Sequence, residues 1–265
     1  MPGKLEVLYY VFDSAENLAL AAAKRLVEQV ESAAAARGVA RIAVSGGSTP
    51  KRMFELLADP ALPFFSRMPW QRLELYWVDE RGVPPDDPES NYRMTREALL
   101  GKVPLPAGQI FRMEGELEPE VAASRYEDVI RRQFRLAGAE FPAFDVITLG
   151  MGPDGHTASL FPHTAAVHEA RRIVVANHVP QKDTWRITLT SPVVNQGRDV
   201  FFLVQGKDKA KVLKEVLLGA DDPDTYPTQL IRPVSGKLTL LLDTASAEEL
   251  PPPDDTGWGR VEIER

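Results

Sequence analysis

The chain alternates short, nearly all-apolar runs with amphipathic stretches. LEVLYYVF (Leu5 to Phe12) reads as a strand. Ser14 is placed to cap a helix with Leu18, Ala22, Leu26 and Val30 on one face, and Gly38 is placed to end it. RIAVSGG (Arg41 to Gly47) is an apolar run that breaks into glycines. Thr49 is a candidate cap there, with Pro50 at the first helical position. LELYWVDER (Leu73 to Arg81) is a further apolar run ending in charges, followed by the Pro-rich acidic loop Gly82 to Ser90. NYRMTREALL and PEVAASRYEDVIRRQFRLAG predict helices, and FDVITLG (Phe144 to Gly150) predicts a buried strand. RRIVVA, WRITLT and DVFFLV are three more strand candidates. The helix KDKAKVLKEVLLG and the strand KLTLLLD close the pattern.

Strands that are apolar on both faces and alternate with helices imply a mainly parallel sheet covered on both sides. The expected architecture is therefore α/β, Rossmann-like and doubly wound. Residues 1–247 are expected to form one domain. The Pro-, Asp- and Gly-rich tail, 248–265, is expected to pack loosely. At 265 residues the chain can bury about three quarters of its unfolded surface without a staple.

Composition narrows the chemistry. With no cysteine, disulfides, thiolate nucleophiles and thiolate metal sites are out. Four histidines, none in a ligand-pair spacing, point to no metal. A net charge of −7 (31 Lys+Arg, 38 Asp+Glu) argues against a nucleic-acid surface. No run approaches the roughly 20 apolar residues of a membrane span, and the N-terminus lacks a signal-peptide core. The expectation is a soluble, cytoplasmic protein with a small-molecule ligand and no membrane partner, a monomer being favoured.

Ligands of open α/β sheets bind beyond the carboxyl ends of strands, so the residues just after each apolar run carry the function. After RIAV come Ser45, Gly46, Gly47, Ser48, Thr49 and Pro50. Small residues, two hydroxyls and a helix N-terminus make a phosphate cradle, or else an ordinary tight turn. It is not a P-loop, since no Gly-Lys in the chain is followed by Ser or Thr. After LELYWV come Asp79, Glu80 and Arg81, charges expected to face the crevice, or else a solvated strand end, the commoner case for a lone acidic pair. After FDVITL come Gly150, Met151, Gly152, Pro153, Asp154, Gly155 and His156. The three glycines spell G-x-G-x-x-G, but Asp154 and Pro153 are wrong for a pyrophosphate. Read instead as an Asp-Gly-His turn, the segment offers a carboxylate and an imidazole for acid–base work. His163, His168 and His178 are bystanders. Arg186, inside the apolar WRITLT, is costly unless it meets an anion. Lys209 opens a helix, where a cation is unfavourable without one. Cradle, Arg and Lys together suggest a phosphate monoester, with Asp and His at the other end of the ligand.

The segments VSGGSTP, WVDERGVPPDDPESNYRM, LGMGPDGHTASLFP, RITLTSPVVNQGRDVFFLVQGKDKA and QLIRPVSGKLTLLLD resemble the 6-phosphogluconolactonase family, in the family's order, from about Val44 to Asp243. The Gly-Pro-Asp-Gly-His-Thr stretch is shared with glucosamine-6-phosphate deaminases, which carry an aromatic residue where this chain has Arg81. The resemblance implies a Rossmann-like fold and hydrolysis of 6-phospho-D-glucono-1,5-lactone to 6-phosphogluconate, the second step of the oxidative pentose phosphate pathway, with no cofactor or metal. It implies His156 as general base, Asp154 and Asp79 as acidic groups beside it, and Arg81 as an active-site cation. Gly46, Gly47, Ser48, Arg186 and Lys209 match phosphate-binding positions. Two other readings remain: a sugar-phosphate isomerase or deaminase on the same scaffold, in which Asp79 abstracts a proton, and a non-catalytic sugar-phosphate sensor.

Overall fold

The computed structural model describes residues 4–264. The strands are β1 Lys4–Phe12, β2 Ala40–Val44, β3 Leu73–Trp77, β4 Asp79–Arg81, β5 Ile110–Phe111, β6 Val146–Leu149, β7 Val174–Val179, β8 Thr184–Leu189, β9 Asp199–Val204, β10 Lys237–Asp243 and β11 Trp258–Glu264. The α-helices are α1 Ala15–Arg37, α2 Ser48–Leu57, α3 Pro63–Arg67, α4 Asn91–Thr95, α5 Pro119–Phe134, α6 Ser191–Val194 and α7 Ala210–Leu218. A π-helical turn, Arg96–Leu100, continues α4.

Eight strands form one sheet in the order β11-β1-β10-β9-β6-β2-β3-β5, parallel throughout except for the β11 edge. Successive side chains of its apolar strands feed two separate cores. Val200, Phe202 and Val204 join the core under α5 and α7, while Phe201 and Leu203 join the core under α1 and α2. That two-sided burial is why the run Val200–Val204 of β9 is apolar at every position. Helix α1 begins as its sequence predicts, the Ser14 hydroxyl accepting from the Asn17 N–H at 3.2 Å, and ends on Gly38 at φ 81°.

Four expectations are corrected. RRIVVA and WRITLT stay out of the parallel sheet; β8 pairs antiparallel with β4 on one side and β7 on the other in a second, three-stranded sheet. The reason is length: only residues 180–183 separate them, enough for a hairpin and too few for a parallel crossover. The run Leu73 to Arg81 divides at Val78, whose N–H bonds Val44 of the large sheet and whose carbonyl accepts from Leu189 of the small one. Thr49 lies inside α2 and Gly47 takes the cap position, with no side chain capping it. The tail does not pack loosely throughout: residues 258–264 form β11 along β1, because β1 would otherwise be an unpaired edge. Val261 is buried there, and Trp258 meets Tyr10 edge-on at 5.0 Å.

Candidate functional site

The segments singled out in the sequence follow β9, β6, β2 and β3, four neighbours in the middle of the sheet. Two clefts open across their carboxyl ends. One, about 740 Å³, is lined among others by Ser45, Asp79, Arg81, His156 and Arg186. The other, about 610 Å³, is lined by Gly46 to Pro50, Gln205, Asp208 and Lys209. They share Gly46, Gly150 and Met151.

The cradle is built on glycine geometry. Gly47 sits at φ 111°, a conformation open to glycine and strained for other residues. At Gly46 an added Cβ would lie 1.9 Å from the Asn91 Oδ1. The chain therefore passes tight beneath Asn91 and turns into α2, whose first turn carries no acidic side chain to oppose an anion. Ser48 is exposed and Thr49 buried, and the Ser45 hydroxyl is buried without a hydrogen-bond partner. Lys209 reaches the second cleft but already has an anion, its Nζ donating to the Asp208 carboxylate at 2.6 Å. That bond holds Asp208 below the usual carboxylate range. The expected debt of a cation at the start of α7 is thus met within the chain.

Strand β4 separates its three charges by alternation. Asp79 and Arg81 line the first cleft. Glu80 does not face the crevice as expected; it is 2% exposed on the other side. Its carboxylate accepts from the backbone N–H groups of Arg81, Asn91 and Tyr92, each at 2.8 Å, and from the Ser90 hydroxyl at 3.0 Å. Burial still dominates and pushes its carboxyl above the ordinary glutamate value. Glu80 thereby ties down the start of α4, and Asn91 reaches back with Nδ2 to the Asp79 carbonyl at 3.0 Å. The Asp79 Oδ2 accepts from the Ser159 hydroxyl at 2.8 Å.

Arg81 donates through Nη1 to the Glu89 carbonyl, not to the Glu80, Asp86 or Asp87 carboxylates. Across the β4–β8 ladder Arg81 stands directly opposite Arg186. Arg186 is 8% exposed and its Nη1 is buried without a partner. Burial first, and the Arg81 charge second, push its pKa down. Two neighbouring guanidiniums, one of them short of hydrogen bonds, make the wall electrostatically suited to an anion.

The Asp-Gly-His turn is closed by the Gly152 N–H donating to the His156 carbonyl at 2.9 Å, with Gly155 at φ 79°. The Thr228 hydroxyl and N–H both donate to the Gly155 carbonyl, at 2.8 and 3.0 Å. The turn sets the His156 Nδ1 2.5 Å from the Asp154 Oδ1. At Gly152 a Cβ would lie 2.1 Å from the imidazole, so the pair requires glycine there. The ring stacks on Phe161, centroids 4.0 Å apart. With Asp154 accepting from Nδ1–H, Nε2 is the ring atom left to take a proton. Burial raises the Asp154 carboxyl, but its hydrogen bond to His156 and the imidazole charge outweigh that, so the net direction is down.

The sequence-predicted residues thus divide. Ser45, Gly46, Asp79, Arg81, His156 and Arg186 line one cleft; Gly46, Gly47, Ser48, Thr49 and Lys209 line the other; Asp154 stands behind His156. Asn91, Ser159, Phe161 and Lys182 also line the first cleft and were not singled out. A single hydrogen-bonding Asn or Ser, a lone aromatic ring and a lone Lys give no spacing pattern. His163, His168 and His178 line neither cleft; His168 pairs with Asp224 at 3.0 Å and His178 is exposed. Among the described residues no group of three His, Asp or Glu side chains could hold a metal ion, and no helix is long and apolar enough to cross a membrane.

A family model described as glucosamine-6-phosphate isomerases/6-phosphogluconolactonase matches residues 13–240. A 6-phosphogluconolactonase of a Synechocystis species is 41% identical over 225 residues, 84% of this chain and 90% of that protein. That of Mycobacterium tuberculosis is 39% identical over 248 residues, 91% and 97% of the two chains. Among solved structures, 6-phosphogluconolactonase from Trypanosoma cruzi superposes with a TM-score of 0.80 at 31% identity, covering 91% of this chain and 96% of the other. A monomeric glucosamine-6-phosphate deaminase shares the fold at 19% identity, with a TM-score of 0.75 over 91% and 99% of the chains.

Proposed function

The chain belongs to the family of glucosamine-6-phosphate isomerases and 6-phosphogluconolactonases, and on that footing we propose that it hydrolyses 6-phospho-D-glucono-1,5-lactone to 6-phosphogluconate. The observation that carries the reading is the Asp154–His156 pair opening on the same cleft as Arg81 and Arg186. Relatives of the chain at about 40% identity over most of its length bear the lactonase name.

In the proposed reaction the His156 Nε2 takes a proton from water as the water oxygen attacks C1. The carbonyl oxygen gains charge beside a guanidinium or backbone N–H groups, each such donor being worth on the order of 3 kcal/mol. The C1–O5 bond then breaks and the imidazolium returns the proton to O5. The net products are the open-chain carboxylate and one proton. Asp154 orients the ring and stabilises its charged form, and Asp79 holds a sugar hydroxyl or the water. The phosphate lies in the Gly46–Thr49 cradle beside Lys209, and Arg186 approaches it from the adjoining cleft, with which the cradle shares Gly46, so that C1 is held near the base. Lys209 exchanges Asp208 for the phosphate as the ligand enters.

The test is proton release from the lactone, followed by pH-stat with and without the protein. Catalysed acid release well above the spontaneous rate supports the reading. Ammonia release from glucosamine 6-phosphate, with no effect on the lactone, would instead establish the deaminase reading. Tight binding of sugar phosphate without turnover of either compound would establish a sensor.

A further inference from the structure

We infer that Ser159 is a positioning residue that fixes the Asp79 carboxylate and locks it to the segment bearing His156. The inference rests on the lactonase reading and extends it. Asp79 belongs to β4 and His156 to the loop after β6, two parts of the chain without covalent reason to keep register. Ser159 joins them. Its hydroxyl gives the Asp79 Oδ2 a 2.8 Å bond. The Asn91 Nδ2 lies 3.4 Å from the other oxygen, too long to orient it strongly.

Ser159 is itself pinned on both sides. Its N–H donates to the Thr188 hydroxyl at 3.2 Å, and its carbonyl accepts from the Asn177 Nδ2 at 2.9 Å. Thr188 is the residue directly opposite Asp79 in the β4–β8 ladder, and Asn177, Thr188 and Ser159 are each at most 1% exposed. The small antiparallel sheet therefore serves as the frame that places a serine hydroxyl against Asp79. With Oδ2 engaged by Ser159, the carboxylate of Asp79, which lines the cleft, is held as an acceptor for a hydroxyl or water.

The experiment compares wild type, Ser159→Ala and Ser159→Cys for kcat, KM, 6-phosphogluconate affinity and thermal melting. Wild-type turnover is the first arm; its absence sinks the lactonase reading rather than this inference. Given turnover, Ser159→Ala should lose roughly 10- to 100-fold in kcat, the loss of one hydrogen bond to a charged group. KM and product affinity should change far less than kcat, since the phosphate cradle is untouched, and the melting temperature should fall by no more than the few degrees that one buried oxygen left without its donor costs. Ser159→Cys, similar in size with a weaker donor, should recover part of kcat. Full activity in Ser159→Ala overturns the inference. So does a loss in which KM rises and product affinity falls in step with the drop in kcat, and so does a folded cysteine variant no better than alanine.

Discussion

At the scale of single residues, the imidazole is the first place to test. His156→Ala should lower kcat by about 10²–10⁴-fold with little change in KM, read from steady-state kinetics. Gly152→Ala should approach that loss with the reacting side chains unaltered in identity, because its Cβ would stand 2.1 Å from the ring and displace it from Asp154. Wild-type kinetics in either variant would remove the Asp-Gly-His turn from the mechanism. Arg186 separates binding from stability. Arg186→Ala should weaken 6-phosphogluconate by about 1.5–3 kcal/mol in calorimetry. The unliganded protein should melt no lower, since a buried guanidinium with an unpartnered Nη1 leaves with the substitution. A clear fall in melting temperature would mark Arg186 as structural.

At the scale of elements, the Glu80 carboxylate decides where α4 starts and hence where Asn91 sits. Burial raises its pKa, so the folded state holds the proton more tightly than the unfolded state does. Unfolding then releases a proton in the window above the ordinary glutamate value. The contribution of Glu80 is fully present below that value and is lost as pH rises through the folded pKa. Urea unfolding of wild type and Glu80→Gln between pH 4 and 8 should show the wild type losing stability relative to the variant as pH rises, then levelling. A constant difference across that range would mean that folding does not perturb Glu80. This element was only half legible: the charges after β3 were plain in the sequence, but strand alternation turned Asp79 and Arg81 inward and sent Glu80 behind them. The short spacing between RRIVVA and WRITLT already contained the hairpin that keeps both out of the parallel sheet.

At the scale of the whole molecule, β11 closes the sheet edge far from the site, with β1, β10 and β9 between it and β6. Removing residues 255–265 exposes the β1 edge and the packing of Val261 and Trp258, at a cost on the order of 3 kcal/mol. For a chain of this size that is about 6–12 °C in melting temperature. Turnover per folded molecule at 25 °C should be unchanged. Lost activity at a temperature where the truncated chain is still folded would show that the edge strand supports the site.

What the amino-acid order determined by itself is what local physics sets. Apolar runs buried on both faces gave the parallel sheet; Ser14 and Gly38 bounded α1; the glycines after β2 and β6 marked where backbone runs close to another residue, Asn91 at Gly46 and His156 at Gly152. Asp154 and His156 were legible because two residues in one turn cannot be far apart. Only the tertiary structure decided the contacts between segments distant in the chain. It set Arg81 against Arg186, brought Asn91 over Gly46, and brought Ser159 to Asp79. It also gave Lys209 a partner in Asp208 and divided the expected clamp between two clefts. Such pairings leave no period in a sequence, because they follow from strand order and register, which arise only when the two cores pack.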